Sequence, residues 1–415
     1  ASPRYIFTHL NTLTALLFHP DDQPLLEYLD DDGQKVEPRF YVPLLPVALL
    51  NGVHGVGTGY STSVPTYNPL EVCDAYIGRL KHEIQGSGSS PDIHAFPELQ
   101  PYYNGFVGTI EKLSDTSYMT KGRYRIVDFK TVEITELPIG TWTDDYKEFL
   151  ETLLVDYSPT KKRKTGTSSA KNHKANKTAG VLKHYTSHCT ESTVHFILEF
   201  TPDALQKWLN TSSNDKSMDY FQKQLRLTSK ISLTNMHLFN VKSQIHKYQT
   251  PQDIMEEFYI TRLDYYGRRR EYQLGVMKHE LDIMKYKVQF LEAVICDDIV
   301  IAKQSKAELE ATLEAKSYPR FSVSESNGIP SYQYLLGMPI YTLTTDTLDK
   351  LRKQREEKQQ SFSSLQNKSP ATMWDEDLRV FRTEYKASLA KAKKEAEKQA
   401  KATAKARAKR ASKTK

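Results

Sequence analysis

Residues 274–295 read Leu-Gly-Val-Met-Lys-His-Glu-Leu-Asp-Ile-Met-Lys-Tyr-Lys-Val-Gln-Phe-Leu-Glu-Ala-Val-Ile, and their spacing sets the architecture of this chain. Apolar residues recur at alternating steps of three and four, namely Leu274, Met277, Leu281, Met284, Val288, Leu291 and Ile295. Heptad spacing of this kind places them along one side of an α-helix, where a second helix can bury them. We therefore predict a long helix that takes part in a coiled coil.

A second helical pattern runs from about residue 345 to residue 385, and Ser369-Pro370 is expected to interrupt it. Residues 302–344, between the two helices, are rich in Pro and Tyr and are expected to form a small globular tip. We interpret 251–388 as an antiparallel coiled-coil arm, in which forty-odd helical residues reach roughly 60 Å. Two ordinary core helices are the alternative.

The first 250 residues predict two further domains, which makes the fold class α+β and multidomain. Residues 1–75 are expected to form a compact unit, with a short helix capped by Asn11 and a hairpin that turns at 30–33. Consecutive residues cannot all face one ion, so we interpret the three aspartates of this turn as solvated. Residues 76–250 predict an α/β domain, because strand-like alternation recurs there, at 122–129, 131–137 and 193–200.

Positive charge is concentrated in two segments of this chain. The net charge is +6, but residues 389–415 alone hold eleven Lys and Arg against two Glu. Residues 160–178 have no apolar side chain larger than alanine, so we predict a flexible basic insertion there and a disordered basic tail at 389–415. Charge this local suits contact with a polyanion. The candidate polyanion contacts of the insertion are Lys161, Lys162, Arg163 and Lys164.

Composition argues against a membrane protein and against a disulfide scaffold. The 415 residues suggest two to four structural units. Their mean hydropathy is −0.59, and no uninterrupted apolar run is long enough to span a bilayer. The three cysteines, Cys73, Cys189 and Cys296, are far apart and odd in number, which favours a reducing compartment.

Arg4-Tyr5 is a candidate for chemistry on a phosphodiester. A tyrosine hydroxyl has a pKa near 10, so about one part in a thousand is phenolate at pH 7, a handicap of roughly 4 kcal/mol. Such a nucleophile needs a positive field and a phosphate held in line. Arginine suits the second task because its guanidinium can hold two phosphate oxygens. An Arg-Tyr dipeptide alone is weak evidence for catalysis, and the residues around it provide the stronger evidence.

Those neighbours resemble a known family. Ala1-Ser-Pro-Arg-Tyr-Ile-Phe-Thr8 is similar to the active-site tyrosine motif of type IIA DNA topoisomerases in their eukaryotic form. Further matching segments follow in family order: Glu37-Pro-Arg-Phe-Tyr-Val-Pro-Leu-Leu-Pro46, 51–59, 61–65, Tyr103-Asn-Gly-Phe-Val-Gly-Thr-Ile110, Glu136-Leu-Pro-Ile-Gly-Thr-Trp-Thr143, 225–240, Tyr265-Tyr-Gly-Arg-Arg269, Tyr334-Leu-Leu-Gly-Met-Pro339 and 369–381. The resemblance covers nearly everything from residue 1 to about residue 385.

The resemblance implies a catalytic pair and a DNA-bending side chain. Tyr5 would form a 5′-phosphotyrosyl bond while Arg4 holds the scissile phosphate. Val56 takes the place of the family's usual isoleucine, which wedges between base pairs, and it is shorter by one methylene. His54 stands where the family has an acidic residue, and Ser63 where it has a basic one.

The residues beside this wedge are also DNA contacts by the resemblance, namely Gly55, Gly57 and Thr58. Residues 1–75 would be the remainder of a winged-helix domain, 76–250 a tower or shoulder domain, and 302–344 a dimer gate at the tip of the arm. No metal ligand is expected within the chain.

For the whole enzyme, the resemblance implies an ATP-dependent homodimer that breaks both strands of one DNA duplex, passes another duplex through, and reseals the break. The ligands for Mg²⁺ and ATP would lie in Toprim and ATPase portions outside this chain, so the chain alone is expected to be inactive. The short tail suggests a compact version from a large DNA virus. The expected location is the nucleus, or a cytoplasmic replication site of a host cell if the protein is viral.

Other interpretations of these residues stay open. A non-catalytic coiled-coil clamp on DNA, or a structural dimer scaffold, would use the same helices without chemistry. The glycines at 51–59 lack the dinucleotide fingerprint and a following Gly-Lys-Ser/Thr, which argues against a nucleotide site. A histidine and cysteine cluster at 184–195 lacks the second cysteine pair of a zinc site, and we interpret its members as strand residues. Residues 268–270, three arginines, could contact phosphates or lie at the exposed start of a helix.

Overall fold

The computed structural model is a mixed helix and sheet protein that divides into two compact units. The first unit comprises residues 1–45, 73–95 and 257–415, and the second comprises 46–72 and 96–256. The structure describes residues 5–85, 95–155, 180–190, 193–211, 219–301, 304–321, 330–339 and 345–411, the last thirteen of these as backbone. The predicted domains follow one another along the chain, whereas these units interleave. Because the two divisions differ in kind, the compact units do not test the predicted domain boundaries, which remain a prediction.

The described residues form helices and strands in this order: α1 (Thr14–Leu17), a 3₁₀ helix (Pro20–Leu25), β1 (Tyr28–Asp31), β2 (Gln34–Pro38), α2 (Val47–Asn51), β3 (Val53–Gly57), β4 (Tyr60–Val64), α3 (Pro69–Ile84), β5 (Thr109–Ser114), β6 (Ser117–Lys121), β7 (Arg123–Ile126), β8 (Thr131–Glu136), α4 (Thr143–Glu151), β9 (Leu182–Ser187), β10 (Phe196–Phe200), α5 (Ala204–Asn210), α6 (Tyr220–Gln224), β11 (Thr228–Ser232), β12 (Met236–Phe239), β13 (Ile245–Tyr248), α7 (Pro251–Ile295), α8 (Lys306–Ala315), α9 (Gln333–Leu336), α10 (Thr345–Asn367) and α11 (Pro370–Ala411). No helix among these is both long and apolar enough to cross a bilayer.

The start of the first unit contains both local features predicted for it. The Asn11 side chain accepts a hydrogen bond of 2.9 Å from the backbone N–H of Leu13, just before α1. Strands β1 and β2 pair around a two-residue turn in which Asp32 and Gly33 have φ values of 50° and 81°. Two consecutive positive φ values define the hairpin turn that suits the strand twist. The predicted hairpin and short helix are confirmed, but the N-cap residue of α1 is Leu13, and the Asn11 bond lies in the turn before the helix.

The helix predicted from the heptad spacing is confirmed as α7, which is 45 residues long. Helix α10 runs antiparallel to it, since Arg352 contacts Glu292 at 2.6 Å while Arg270, nearer the start of α7, donates to the carbonyl of Gln366. Apolar side chains of the two helices meet in a buried cluster of Val288, Leu291 and Leu348. Coiled-coil supercoiling of the pair remains a prediction.

The break predicted at Ser369-Pro370 is confirmed. Helix α10 ends at Asn367 and α11 begins at Pro370. Proline lacks the N–H that would continue the first helix, but it suits the first position of the next. The Ser369 hydroxyl caps α11 by accepting a hydrogen bond of 3.1 Å from the N–H of Thr372.

The basic tail was predicted to be disordered, and this was wrong, because α11 continues to Ala411. Alanine, lysine, arginine and glutamate are strong helix formers, and these residue types dominate the segment. The absence of an apolar face does have its expected effect, since residues 391–398 are all exposed. The basic insertion predicted at 160–178 lies outside the described residues.

The tip between α7 and α10 has its own apolar core. Helix α8 begins with a capping box, in which Ser305 and Glu308 each bond the backbone N–H of the other. The buried side chains of the tip come from the end of α7 and the loop after it, from α8, and from α9 and the residue before it, and they are Phe290, Ile299, Leu309, Leu313, Tyr332, Tyr334 and Leu335. The described parts of residues 302–344 thus form a small packed structure.

The second unit is built on an antiparallel sheet in the order β7-β8-β10-β9. Its buried face packs against α4, α5 and α6, with Ile134, Phe196 and Trp208 in the core. The strands predicted within 122–137 and 193–200 are confirmed. A three-stranded sheet, β11-β6-β5, and two hairpins, β3-β4 and β12-β13, complete the strands of this unit.

Candidate nucleic-acid interface

The β3-β4 hairpin presents an apolar side chain to solvent. Gly57 pairs with Tyr60, which leaves Thr58 and Gly59 as a two-residue turn with φ values of 52° and 80°. Such a turn matches the strand twist and makes a compact, well-defined tip. Val56, one residue before the turn, is 78% exposed. The four residues selected from the sequence, Gly55, Val56, Gly57 and Thr58, therefore lie together at the tip.

The base of this hairpin requires glycine at position 52. Gly52 has φ 70° and ψ 164°, a region that is essentially restricted to glycine. A Cβ at this position would lie 2.9 Å from Cγ2 of Thr66 and 3.0 Å from the carbonyl oxygen of Val64. This close approach fixes where β3 leaves α2, and hence where the tip is carried.

A distant part of the same unit supports β4. Ser63 donates a backbone hydrogen bond of 2.7 Å to the carbonyl of Asn235, and the Asn235 amide donates to Oγ of Ser61 at 3.1 Å. The N–H of His237 donates to Oγ1 of Thr62 at 3.2 Å. Our sequence reasoning missed the roles of Asn235 and His237. No local pattern marks them, because their partners lie about 170 residues earlier.

Tyr5 lies in the first unit and is accessible. Its side chain is 73% exposed, and Ile6, Phe7 and Leu10 after it are exposed as well. An exposed phenol can meet a large substrate, which a buried core tyrosine cannot do. Tyr5 and Val56 belong to different units, so the structure does not bring them together within one compact unit.

The other candidate contacts lie outside the described residues. These are Arg4, the proposed phosphate ligand, and the basic group Lys161, Lys162, Arg163 and Lys164. Their roles stay predictions.

A buried ionic network joins the 3₁₀ helix after Tyr5 to the long helices. The carboxylate of Asp22 accepts hydrogen bonds from Nε of Arg269 at 2.6 Å and from Nη1 of Arg262 at 2.8 Å. Arg269 also bonds Asp377 of α11 at 2.9 Å, and Asp22 and both arginines are nearly inaccessible. Burial is the largest single effect on the pKa of Arg269 and would lower it, but the hydrogen bond with Asp22 and the charges around the guanidinium together exceed this effect, and the pKa is raised. The network fixes the start of the first unit to α7 and α11.

This network resolves one of the open interpretations. Arg269 was considered as a phosphate contact or as part of an exposed helix start, and it is neither, because it is 2% exposed and ion-paired. The missing signal was spacing: Arg262 and Arg269 are seven residues apart and therefore share one face of α7. Arg268, on another face, is half-exposed and pairs with Asp264.

The histidine and cysteine cluster joins neighbouring strands. Nε2 of His195 lies 2.7 Å from Oε1 of Glu133, and Arg125 donates to the same carboxylate at 2.9 Å. The hydrogen bond from His195, and then that from Arg125, hold the pKa of Glu133 below its usual value. The N–H of His195 donates to Sγ of Cys189. Within the part of the chain that the structure describes, no three His, Cys, Asp or Glu side chains are grouped to hold a metal ion.

Known proteins resemble this chain over most of its length. Residues 1–379 match the family model for the A-type subunits of DNA gyrase/topoisomerase IV. The chain is 33% identical over 426 residues to DNA topoisomerase 2 of Acanthamoeba polyphaga mimivirus, covering 93% of this chain and 32% of that protein. DNA topoisomerase 2-alpha of Cricetulus griseus is 34% identical over 423 residues, covering 95% of this chain and 25% of that protein. The chain thus spans about a quarter to a third of the curated relatives it matches.

The fold of this chain is also similar to that of a solved topoisomerase structure. A crystal structure of the Plasmodium falciparum topoisomerase II DNA-binding, cleavage and re-ligation domain matches with a TM-score of 0.75 and 31% identity, covering 95% of this chain and 51% of that one. The chain therefore belongs to the DNA gyrase/topoisomerase IV family, and it corresponds to a type IIA topoisomerase breakage-reunion region.

Proposed function

We propose that this chain performs the DNA breakage and rejoining of an ATP-dependent type II DNA topoisomerase, an isomerase that acts as a homodimer. The observation that carries this proposal is the exposed hydroxyl of Tyr5, at the position of the family's active-site tyrosine motif. The start of its unit is fixed by the buried Asp22 network. A nucleophile that acts on a duplex has to be exposed and also held by a rigid scaffold.

The proposed reaction is a reversible transesterification. The Tyr5 oxygen attacks the scissile phosphorus, the bond to the deoxyribose 3′ oxygen breaks, and the proton lost by the phenol is balanced by the one gained on the 3′ oxygen. The 5′-phosphotyrosyl ester keeps the energy of the broken bond, so the 3′ hydroxyl can reverse the step. Arg4 would hold two phosphate oxygens in line.

Mg²⁺ and ATP are expected to act in the whole enzyme. The described residues offer no group of three metal ligands, and the sequence has no Gly-Lys-Ser/Thr phosphate loop. The residues of this chain that the structure describes therefore fit neither a bound Mg²⁺ ion nor a phosphate loop for ATP. We therefore place both sites in Toprim and ATPase portions outside this chain.

Val56 is proposed to bend the bound duplex. An apolar side chain inserted at a base step costs a few kcal/mol of unstacking, which is recovered when the bent DNA contacts more protein. A wedge works only if it cannot fold back, and the hydrogen bonds from Asn235 and His237 to β4 meet that need. Gly55, Gly57 and Thr58 would let the backbone approach the DNA closely.

The remaining parts would support the opening and closing of the dimer. Residues 1–75 would complete a winged-helix domain, 76–250 would form the tower, and the antiparallel pair of α7 and α10 would be the coiled-coil arm whose tip is the dimer gate. The basic tail at 389–415 and the basic insertion at 160–178 would contact phosphates without sequence preference. The compartment follows from the source: the nucleus, or a cytoplasmic replication site for a viral enzyme.

Detergent-quenched cleavage with end-labelled duplex tests the reaction. With the complete protein, we expect label to stay with protein only through the 5′ phosphate. Tyr5→Phe should abolish this adduct while DNA binding changes little, because only one hydroxyl is lost. Tyr41→Phe is the matched control, since Tyr41 is another exposed tyrosine of the same unit at 59% exposure. An undiminished adduct in Tyr5→Phe would refute the assignment.

A non-catalytic DNA clamp is the second candidate, and the exposed lysines within residues 391–398 of α11 favour it. A clamp would bind duplex with a steep salt dependence and form no adduct in the wild-type protein. A purely structural scaffold would not bind duplex at all. The cleavage assay and a salt titration therefore separate the three functions.

A further inference from the structure

The β12-β13 hairpin ends in a rigid five-residue turn. Phe239 pairs with Ile245, and residues 240–244 connect them. The Asn240 side chain accepts hydrogen bonds from the N–H of Lys242 at 3.0 Å and from that of Gln244 at 2.9 Å. A backbone bond of 2.9 Å from Asn240 to the Gln244 carbonyl closes the turn. These three bonds hold the shape of the turn.

This turn lies at the same end as the Val56 tip. Asn235 bonds Ser63, near the base of the first hairpin, while the His237 ring lies 5.7 Å from the ring of Tyr60, beside the tip. Asn235 thus meets Ser63, and His237, two residues later, meets the earlier residue Tyr60. Strands β12 and β4 therefore run antiparallel to each other. Continuing along β12 brings residues 239–244 level with the turn at Thr58. Two hairpin turns thus stand side by side in the second unit.

The second turn exposes apolar and basic side chains. Phe239 is 62% exposed and Val241 is 44% exposed, although exposing such side chains to water is unfavourable. Lys242 and Lys247 are exposed, and neither forms an ion pair with a carboxylate of the described residues. A partner that accepts both positive charge and apolar contact would satisfy all four side chains.

The charge of the two hairpins indicates which partner this is. Residues 53–64 and 236–248 contain no Asp or Glu, in a chain in which 51 of 415 residues are acidic. Duplex DNA offers phosphates for lysine side chains, and the sugar edges of its groove for apolar ones. The surface is also continuous with the tip that carries Val56, which is proposed to enter the duplex.

We infer that the β12-β13 turn is a second contact with the DNA duplex that Val56 bends. Lys242 and Lys247 bind phosphates next to the bend, and Phe239 and Val241 pack against deoxyribose edges. This inference rests on the proposed function, because it takes the Val56 tip as a DNA site. It adds a positioning surface that fixes the register of the duplex on the wedge.

Salt-dependent binding tests the lysines. For the complete protein on a short duplex, we expect Lys242→Ala to reduce the slope of log K against log salt concentration by about 1.8, the value for two lost phosphate contacts, one from each subunit of the proposed homodimer. The Lys242→Ala, Lys247→Ala double variant should reduce it by about twice as much. Lys223→Ala is the matched control, because Lys223 is an exposed lysine on α6 of the same unit, and it should keep the wild-type slope. Equal slopes for wild type, Lys242→Ala and Lys223→Ala would overturn the inference.

Bending tests the apolar side chains and separates this inference from the proposed function. Phe239→Ala should weaken binding equally at all salt concentrations, because an apolar contact releases no counterions. It should also lower the bent fraction of a duplex labelled with a fluorescent donor and acceptor. Val56→Ala should lower that fraction as well.

If only Val56→Ala reduces bending, and neither Phe239→Ala nor Lys242→Ala changes binding, the second contact is refuted while the wedge stands. If Val56→Ala leaves bending unchanged, the proposed wedge itself fails. If Lys242→Ala lowers self-association and leaves DNA binding unchanged, the turn is a protein contact and the inference is refuted.

Discussion

Replacing Asp22 with alanine is expected to unfold the first unit at a much lower urea concentration. The Asp22 carboxylate is the shared acceptor for Arg262 and Arg269, both of which are nearly inaccessible. After the substitution, Arg269 keeps the carboxylate of Asp377, whereas Arg262 keeps the carbonyl of Val42 and the ring of Tyr266 but no carboxylate of the described residues. Removing one partner of a buried ion pair costs about 3–5 kcal/mol, because the other charge stays buried without compensation. With a urea m-value of about 2–3 kcal/mol/M for a unit of this size, the midpoint should fall by about 1–2.5 M.

Tryptophan fluorescence can follow this unit alone. Trp374 of α11 is fully buried and stacks on Tyr266 at 5.8 Å, so its emission reports on the packing beside the network. The other tryptophans, Trp142 and Trp208, lie in the second unit and can be replaced by phenylalanine in both wild type and variant.

Asp21→Ala is the matched control. The Asp21 side chain is 41% exposed and accepts a hydrogen bond from Gln273, so its loss should cost no more than about 1 kcal/mol. Should Asp22→Ala and Asp21→Ala unfold at the same urea concentration, the buried network would not be what holds this unit together.

Three further outcomes are expected. Gly52→Ala should cost about 1–3 kcal/mol because of its backbone conformation, whereas Gly57→Ala, whose Cβ would meet open space, should leave the melting temperature nearly unchanged; equal melting of the two would contradict the strain argument. Burial raises the pKa of Cys73 to about 12, so iodoacetamide at pH 8 should label the exposed Cys296 and spare Cys73, as mass spectrometry would show, and prompt labelling of both would contradict this. The pKa of Glu133 is lowered in the folded state, so the wild-type protein should be more stable than Glu133→Gln above pH 4.5, the ordinary carboxyl pKa. This advantage in urea midpoint should disappear as the pH falls through the lowered pKa. An advantage that persisted at pH 2 would contradict the assignment.

Local patterns in the sequence were sufficient for much of the fold. Helix α7 follows from apolar spacing, the turn at Asp32-Gly33 from residue type, and the start of α11 from Pro370. Each depends on residues only a few positions apart, which is the range over which propensity and periodicity act. The helical tail was missed because we gave the lack of an apolar face more weight than the helix propensity of its residues.

Long-range pairing was the part that sequence could not supply. Asp22 meets Arg262 across 240 positions, and no feature near either residue announces the other. The same holds for the hydrogen bond between Ser61 and Asn235. For the candidate site, the glycines identified a tight turn, but the roles of Tyr5 and Val56 came from a family resemblance.

The bonds between β4 and residues 235–237, at the start of β12, have a consequence for biosynthesis. Their members are 174 and 175 positions apart, so a ribosome that adds roughly 5–20 residues per second needs about 9–35 s to deliver the second set after the first. During that interval the nascent β3-β4 ribbon has no support, and an isolated two-stranded ribbon is only marginally stable in water. The glycine-rich tip therefore matures late, after most of the second unit has left the exit tunnel, and a translation arrest before residue 235 would yield a chain with an unsupported wedge.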